Sequence, residues 1–153
     1  MSSNNKRKML DLEQKRRDLN FGLYNEDLIL AVVNERYNNT YKVRDRFANF
    51  DFRNDTFKID FELKSRRIYK GQYSTIFFNE DKLTEGRQKF ADGTTNRIIY
   101  LFSFVKKANV NERVLWFWED DGRDLEVTME GNLARGDSKK PCVNVPMELL
   151  ERW

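Results

Sequence analysis

An alternating run from Thr56 to Lys64 constrains the fold of this chain more than any other segment. Apolar and charged side chains take turns along it, in the order Phe57, Lys58, Ile59, Asp60, Phe61, Glu62, Leu63 and Lys64. Successive side chains of a β-strand point to opposite faces of the sheet. This period of two predicts a half-buried strand with Glu62 and Lys64 on one face.

The segment before this run predicts the other arm of a β-hairpin that spans residues 47–67. Asn54-Asp55 is a turn signal, and Asp51 stands between two phenylalanines that suit a pleated, partly buried arm. Two carboxylates, from Asp51 and Glu62, and the amine of Lys64 then lie on adjacent strands. This combination predicts a divalent-metal site.

The spacing of the two carboxylates sets a condition on that site. A regular two-residue turn at Asn54-Asp55 pairs Asp51 with Lys58, which leaves Glu62 four residues further along, roughly 13 Å away at the usual rise. One ion cannot bridge that distance, so a bulge, a splayed hairpin or a strong twist is required. Asp60 lies on the same face and closer in sequence, and it is the alternative ligand.

A basic stretch follows the hairpin, formed by Lys64, Arg66, Arg67 and Lys70. In this arrangement the sequence resembles the PD-(D/E)XK nuclease superfamily over residues 23–107, with Asp51 as the first acid and Glu62-Leu63-Lys64 as the second motif. Glu35, on a predicted helix before the hairpin, matches a glutamate that members usually place there. Phe50 departs from the pattern, since members often have proline before the first acid.

The resemblance implies an α+β fold with a central mixed β-sheet flanked by helices, and a Mg²⁺-dependent deoxyribonuclease in which Mn²⁺ can substitute. Asp51 and Glu62 then hold the ion, and Glu35 adds a ligand through water. Lys64 positions the attacking water or stabilises the pentavalent phosphate. The expected DNA contacts are Ser65, Arg66, Arg67 and Lys70, a helical residue among Arg87, Gln88 and Lys89, and the N-terminal Lys6, Arg7 and Lys8.

The absence of histidine excludes many other chemistries. With no histidine and only Cys142, the chain cannot form Ser-His-Asp or Cys-His nucleophilic sites, histidine-dependent zinc sites or thiolate zinc clusters. It also lacks the glycine-rich phosphate-binding and dinucleotide-binding motifs. Carboxylate, lysine and hard-cation chemistry remain.

The net charge of +3 lies in the first 20 residues, which we predict to be a basic arm preceding a single domain at 21–153. This arm either contacts nucleic acid, remains solvated, or docks through Met9, Leu12 and Leu19. A lone cysteine, the lack of a membrane-spanning apolar run and the polar start favour a soluble, non-secreted protein of the cytoplasm or nucleus. The expected partner is DNA, and we expect no association with a membrane. The sequence is also compatible with a homodimer.

Periodicity and turn signals predict a mixed order of elements. The helices are Asn25 to about Tyr37 and Asn79 to Phe90. The strands, besides the hairpin arms, are Thr40–Arg46, Gly71–Phe78, Arg97–Val105, Arg113–Glu119, Leu125–Met129 and Cys142–Val145.

Two alternatives remain open. The charged side chains of the alternating run can be a solvated strand face with cross-strand ion pairs, in which case the chain is a noncatalytic nucleic-acid-binding or assembly protein of the same fold. The aromatic cluster Trp116-Phe117-Trp118 can pack in a core or stack on nucleobases. Tyr69 and Tyr73 have the same ambiguity.

Overall fold

The computed structural model of this protein describes residues 26–45, 50–131, 136 and 138–153. The chain divides into two compact units, one ending at Asn38 and the other spanning Asn39–Trp153. The predicted arm, its boundary after residue 20, and Asn25 as the start of the first helix lie outside the described residues.

In the first unit, residues 26–36 form helix α1. The Tyr37 N–H donates a 2.8 Å hydrogen bond to the carbonyl of Val33, which extends the helical bonding to the predicted end. Asn39 then takes a φ of 68°, in the left-handed region where asparagine is one of the few tolerated side chains. The Asn38-Asn39 pair therefore follows the helix as predicted.

The second unit contains nine strands, one α-helix and a short 3₁₀-helix within the described residues. The strands are β1 Tyr41–Lys42, β2 Phe52–Asn54, β3 Ile59–Ser65, β4 Thr75–Asn79, β5 Arg97–Val105, β6 Arg113–Glu119, β7 Glu126–Glu130, β8 Lys140–Pro146 and β9 Glu151–Arg152. Helix α2 spans Glu80–Ala91, and the 3₁₀-helix spans Met147–Leu149.

Six of these strands form a mixed sheet in the order β1-β2-β3-β5-β6-β9. All neighbours in it are antiparallel except β3 and β5, which run parallel and need a crossover connection. The crossover carries β4 and α2. A second, antiparallel sheet has the order β4-β8-β7. The α+β class and the central mixed sheet agree with the prediction.

The main core includes side chains from both sheets. Its centre is Tyr100, fully buried on β5, which stacks on Phe78 at 4.4 Å and on Trp118 at 5.7 Å between ring centroids. The other buried members of this cluster are Phe50, Ile76, Leu83, Ile98, Phe102, Phe104, Val143, Val145, Met147 and Leu150. Strand β5 runs through the middle of the larger sheet, which explains its nearly continuous apolar sequence.

The hairpin turn differs from the prediction. The last pair of β2 and β3 is Asn54 with Ile59, so residues 55–58 form a four-residue turn. Asn54 Oδ1 accepts a 3.0 Å hydrogen bond from the Phe57 N–H, and Lys58 takes a φ of 52°. The predicted two-residue turn is wrong because Asn54, fully buried and bonded to Thr40 Oγ1, ends a strand instead of lying in the turn.

The other elements lie close to their predicted positions. Strands β5 and β6 have the predicted limits, and α2 is shifted by one residue. Strand β4 starts later than predicted because Gly71 adopts a φ of 93° in a turn. Strand β1 is shorter than predicted, and Arg46 lies outside the described residues. Within the described chain, we find no helix whose length and apolar character would let it cross a membrane.

Candidate metal centre

Asp51 lies level with Glu62 across the two hairpin strands. Phe52 pairs with Phe61 at this end of the ladder, and Asp51 and Glu62 are the next residues along the two strands. The Asp51 N–H donates a 3.0 Å bond to the Phe61 carbonyl, one residue out of register, as at a β-bulge. Because the turn has four residues, the separation of roughly 13 Å expected for a regular two-residue hairpin does not arise.

The side chain of Asp51 is held against the second motif. Its Oδ2 accepts a 2.8 Å hydrogen bond from the backbone N–H of Leu63, the residue between Glu62 and Lys64. The Lys64 amine lies 3.2 Å from Glu62 Oε1. The structure therefore brings together Asp51, Glu62 and Lys64, the three hairpin residues that the sequence indicates.

Glu62 is buried, with 4% of its surface exposed. The expectation of a half-buried strand is wrong for this part of β3, since Ile59, Asp60, Phe61 and Glu62 are all buried. On the charged face, β3 contacts α2 through Lys82 and Lys89, which form ion pairs with its carboxylates. The sequence pattern of β3 alone does not indicate that α2 lies over this face.

Burial, and next the negative charge of Asp51, raise the pKa of Glu62 to about 7. Lys64 and Lys82 act in the opposite direction, but they do not compensate for the loss of water. Glu62 Oε2 has no hydrogen-bond donor within the described part of the chain, although Lys82 Nζ lies 3.6 Å away. A cation at this oxygen would stabilise the ionised carboxylate.

Lys82 is a site residue that the sequence analysis missed. The hydroxyl of Tyr100 donates a 3.1 Å bond to the Lys82 carbonyl, which ties the first turn of α2 to the centre of the larger sheet. Lys82, Gly86 and Lys89 lie along one stripe of the helix, at spacings of four and three. A lysine pair separated by a glycine on one helical face was the signal available in the sequence.

Asp60, the alternative ligand, has other partners. It accepts a 2.8 Å hydrogen bond from Arg53 Nη1, and Lys89 Nζ lies 3.0 Å from the same oxygen. Arg53 also donates to the Thr94 carbonyl. Asp60 thus links β2 to α2, and Arg53 extends the contact to the loop after α2. Because Asp60 already has these partners, Asp51 is the better partner of Glu62 for a metal ion.

Glu35 is an exposed residue of α1, in the first unit. Among the described residues, no three or more acidic or cysteine side chains are grouped so that they could hold a metal ion. The second unit itself therefore supplies a pair of carboxylates, from Asp51 and Glu62, with two lysines.

The predicted DNA contacts on the basic stretch have different environments. Ser65 ends β3. The Arg66 guanidinium donates to the carbonyls of Ser65 and Phe77 at 3.2 and 3.4 Å, and burial lowers its pKa. Arg67 is exposed, and Lys70 Nζ lies 4.4 Å from the centroid of the Trp116 ring.

The three candidate phosphate contacts on α2 have different environments. Arg87 binds Asp120 through two hydrogen bonds of 3.0 and 3.1 Å, and Lys89 binds Asp60. Gln88 is exposed. The N-terminal Lys6, Arg7 and Lys8 lie outside the described residues.

The aromatic cluster of β6 divides between the two faces of the sheet. Trp118 is buried in the core beside Tyr100, as the packing alternative predicts. Phe117 packs edge to face against Trp153 at 5.4 Å between centroids. Trp116 is half-buried and has cationic neighbours.

Comparison of the chain with protein-family models, with curated proteins and with solved structures found no match. The activity of the centre is therefore inferred from its own residues.

Proposed function

We propose that this protein is a metal-dependent DNA nuclease that hydrolyses phosphodiester bonds. The observation that carries the proposal is the hydrogen bond from the Leu63 N–H to Asp51 Oδ2, which holds the Asp51 carboxylate against the Glu62-Leu63-Lys64 motif, with the Lys64 amine 3.2 Å from Glu62 Oε1. Two carboxylates and a lysine at one point of a sheet are the groups that metal-assisted phosphoryl chemistry needs in a chain without histidine.

The residues fit a hard divalent cation. Mg²⁺ is commonly bound through one or two carboxylates, and waters and substrate phosphates complete its octahedral shell. Asp51 and Glu62 supply this number of ligands. The buried Glu62 Oε2, without a hydrogen-bond donor in the described chain, is an oxygen that gains most from a cation.

A bound Mg²⁺ or Mn²⁺ supplies charge neutralisation at the phosphate and activation of water. The residues of the chain have separate parts in this scheme. The Leu63 N–H orients Asp51, and Lys82 Nζ lies 3.6 Å from Glu62 Oε2. Lys64, on the same strand face as Glu62, stabilises the negative charge that develops on the phosphate in the transition state.

The larger sheet is compatible with the resemblance to PD-(D/E)XK nucleases. That resemblance implies a central mixed sheet flanked by helices, and here β3 joins β5 in parallel through a crossover that contains α2. The two motif residues Glu62 and Lys64 lie on the strand from which this crossover starts. A restriction-endonuclease-like fold is part of the proposal.

One observation favours a second candidate, a noncatalytic nucleic-acid-binding or assembly protein. Both oxygens of Glu62 already have an amine nearby, Lys64 at 3.2 Å and Lys82 at 3.6 Å. A buried carboxylate between two lysines can be a structural ion-pair network that needs no metal. In that case the charged strand is structural and the basic arm at residues 1–20 does the binding.

Cleavage separates the two candidates. Labelled linear, nicked, branched and single-stranded DNAs are incubated with the full chain in Mg²⁺, in Mn²⁺ and in EDTA. The nuclease proposal predicts products on at least one substrate in either metal and none in EDTA. Binding of the same DNAs without products in either metal would favour the noncatalytic protein.

A further inference from the structure

Lys70, Lys107 and Arg152, in the second unit, lie over the rings of Trp116 and Tyr69. Lys70 Nζ lies 4.4 Å and the Arg152 guanidinium carbon 5.9 Å from the centroid of Trp116. Lys107 Nζ lies 5.2 Å from the centroid of the Tyr69 ring. We call these five residues the cation–aromatic surface. Such contacts are worth only about 0.5–1 kcal/mol at exposed sites, so they do not neutralise the positive charge.

The charge of this surface is uncompensated within the described chain. None of Lys70, Lys107 and Arg152 lies within ion-pair distance of a described acidic side chain. Many other cations of the same unit are paired, as Lys64, Lys82 and Lys106 are with glutamates. The surface is therefore a local excess of positive charge.

Further positive charge lies beside it. The Arg113 guanidinium donates to Ser103 and to the carbonyl of Arg66, which are neutral acceptors. Burial, and next the positive charge of Arg67, lower the pKa of Arg113 to about 10.

The surface and the candidate metal centre share one face of the larger sheet. Lys64 on β3 pairs with Phe102 on β5, Phe102 with Trp116 on β6, and Trp116 with Arg152 on β9. Paired residues of neighbouring strands point to the same face. Trp116 is two strands from Lys64, roughly 10 Å at the usual spacing between strands. Phe102, which lies between them, is fully buried, so the core separates the surface from the centre.

We propose that the cation–aromatic surface binds the phosphate backbone of a single strand of DNA. Lys70, Lys107 and Arg152 contact phosphates, and the edge of Trp116 lies against the strand. Cations alternating with aromatic rings are the composition that sequence-independent single-strand surfaces use. The inference rests on the nucleic-acid part of the proposed function and does not require cleavage.

Binding of a fluorescein-labelled oligothymidine to the full chain in EDTA tests this surface separately from catalysis. The variant Lys70→Gln/Lys107→Gln/Arg152→Gln removes three cations from it. The matched control Lys58→Gln/Lys139→Gln/Lys140→Gln removes three cations from exposed positions elsewhere. At roughly 0.7 per contact, the slope of log affinity against log salt should become shallower by about 2 in the first variant, and remain near wild type in the control.

Trp116→Phe provides a second readout that does not depend on the triple variant folding. Trp118 is buried, and Trp116 is half-buried beside Lys70. Oligonucleotide binding should change the tryptophan emission of the wild type, and Trp116→Phe should lose most of that change. Equal salt slopes in the two triple variants, or an emission change that persists in Trp116→Phe, would overturn the inference. If both results are as expected but no DNA is cleaved in Mg²⁺, the surface stands and the nuclease proposal fails.

Discussion

The carboxylate of Asp51 accepts a 2.8 Å hydrogen bond from the backbone N–H of Leu63. This contact crosses from the entry of β2 to β3, between Glu62 and Lys64. It fixes one oxygen of Asp51 beside the Glu62-Leu63-Lys64 motif, so the Asp51 carboxylate is placed by a main-chain group. The hairpin itself therefore preorganises the proposed metal site.

Lys64→Ala should separate binding from chemistry. We expect the variant to fold and to bind DNA through its remaining cations, while the single-turnover rate falls by about 10²-fold or more because the amine acts in the transition state. Lys139→Ala, at an exposed position, is the control for the loss of one charge. A cleavage rate for Lys64→Ala equal to that of the control would remove Lys64 from the mechanism.

Much of the fold is readable from the sequence because local signals and tertiary contacts agree. The period of two identifies the strand that contains Glu62, and the apolar runs Arg97–Val105 and Arg113–Glu119 give β5 and β6 their observed limits. Asp92-Gly93 follows the end of α2, where Gly93 adopts a φ of 80°. At these positions no distant residue competes with the local preference.

The remainder depends on contacts between segments distant in sequence. Asn54 has the composition of a turn residue, but its side chain bonds to Thr40 Oγ1 at 3.0 Å, and this moves the turn to residues 55–58. The burial of Glu62 depends on how α2 lies over β3, and its second lysine, Lys82, comes from that helix. Neither the register nor the helix position is encoded in the alternating run itself.

The pKa of Glu62 predicts an unusual pH dependence of stability. Its value of about 7 lies above the roughly 4.3 of an unfolded chain, so the folded protein keeps a proton that the unfolded chain has released. The stability contributed by Glu62 is fully present below pH of about 4.3 and is lost as pH rises through 7. In urea unfolding with EDTA, the free energy of unfolding of wild type relative to Glu62→Gln should fall between pH 5 and 8, by at most about 3 kcal/mol. A pH-independent difference would contradict the raised pKa.

Gly86→Ala should lower the stability of the protein by disturbing the packing of α2 against the core. A Cβ at this position would lie 2.9 Å from Ile98 Cδ1 and 3.1 Å from Phe50 Cζ, both in the core. Overpacking of this kind costs about 1–3 kcal/mol, partly offset by the better helix propensity of alanine. Chemical denaturation should show a net loss of about 1–2 kcal/mol, whereas Thr84→Ala, exposed on the same helix, should remain within about 0.5 kcal/mol of wild type. A Gly86→Ala protein as stable as Thr84→Ala would show that the helix has room to move.

Deleting residues 1–20 tests the role of the basic arm. The deletion removes six basic residues. If they contact duplex DNA, affinity should fall and the slope of log affinity against log salt should become shallower by up to about 5, at roughly 0.9 per contact. Local neutralisation by Asp11, Glu13 and Asp18 would make the change smaller. Metal binding should persist, since Asp51 and Glu62 lie outside the deleted segment. An unchanged slope would assign the arm to docking or self-association.

The most direct test of the centre is to compare wild type with Asp51→Asn/Glu62→Gln, first for Mg²⁺ and Mn²⁺ binding by calorimetry and then for DNA cleavage in the same buffer. Asp121→Asn/Glu126→Gln, at two exposed positions, is the matched control for the loss of two carboxylates. Wild type and control should bind the metal and cleave DNA, and the Asp51/Glu62 variant should do neither while remaining folded. Identical metal binding by wild type and the Asp51/Glu62 variant, or cleavage that survives the two substitutions, would show that Asp51 and Glu62 do not form the metal centre.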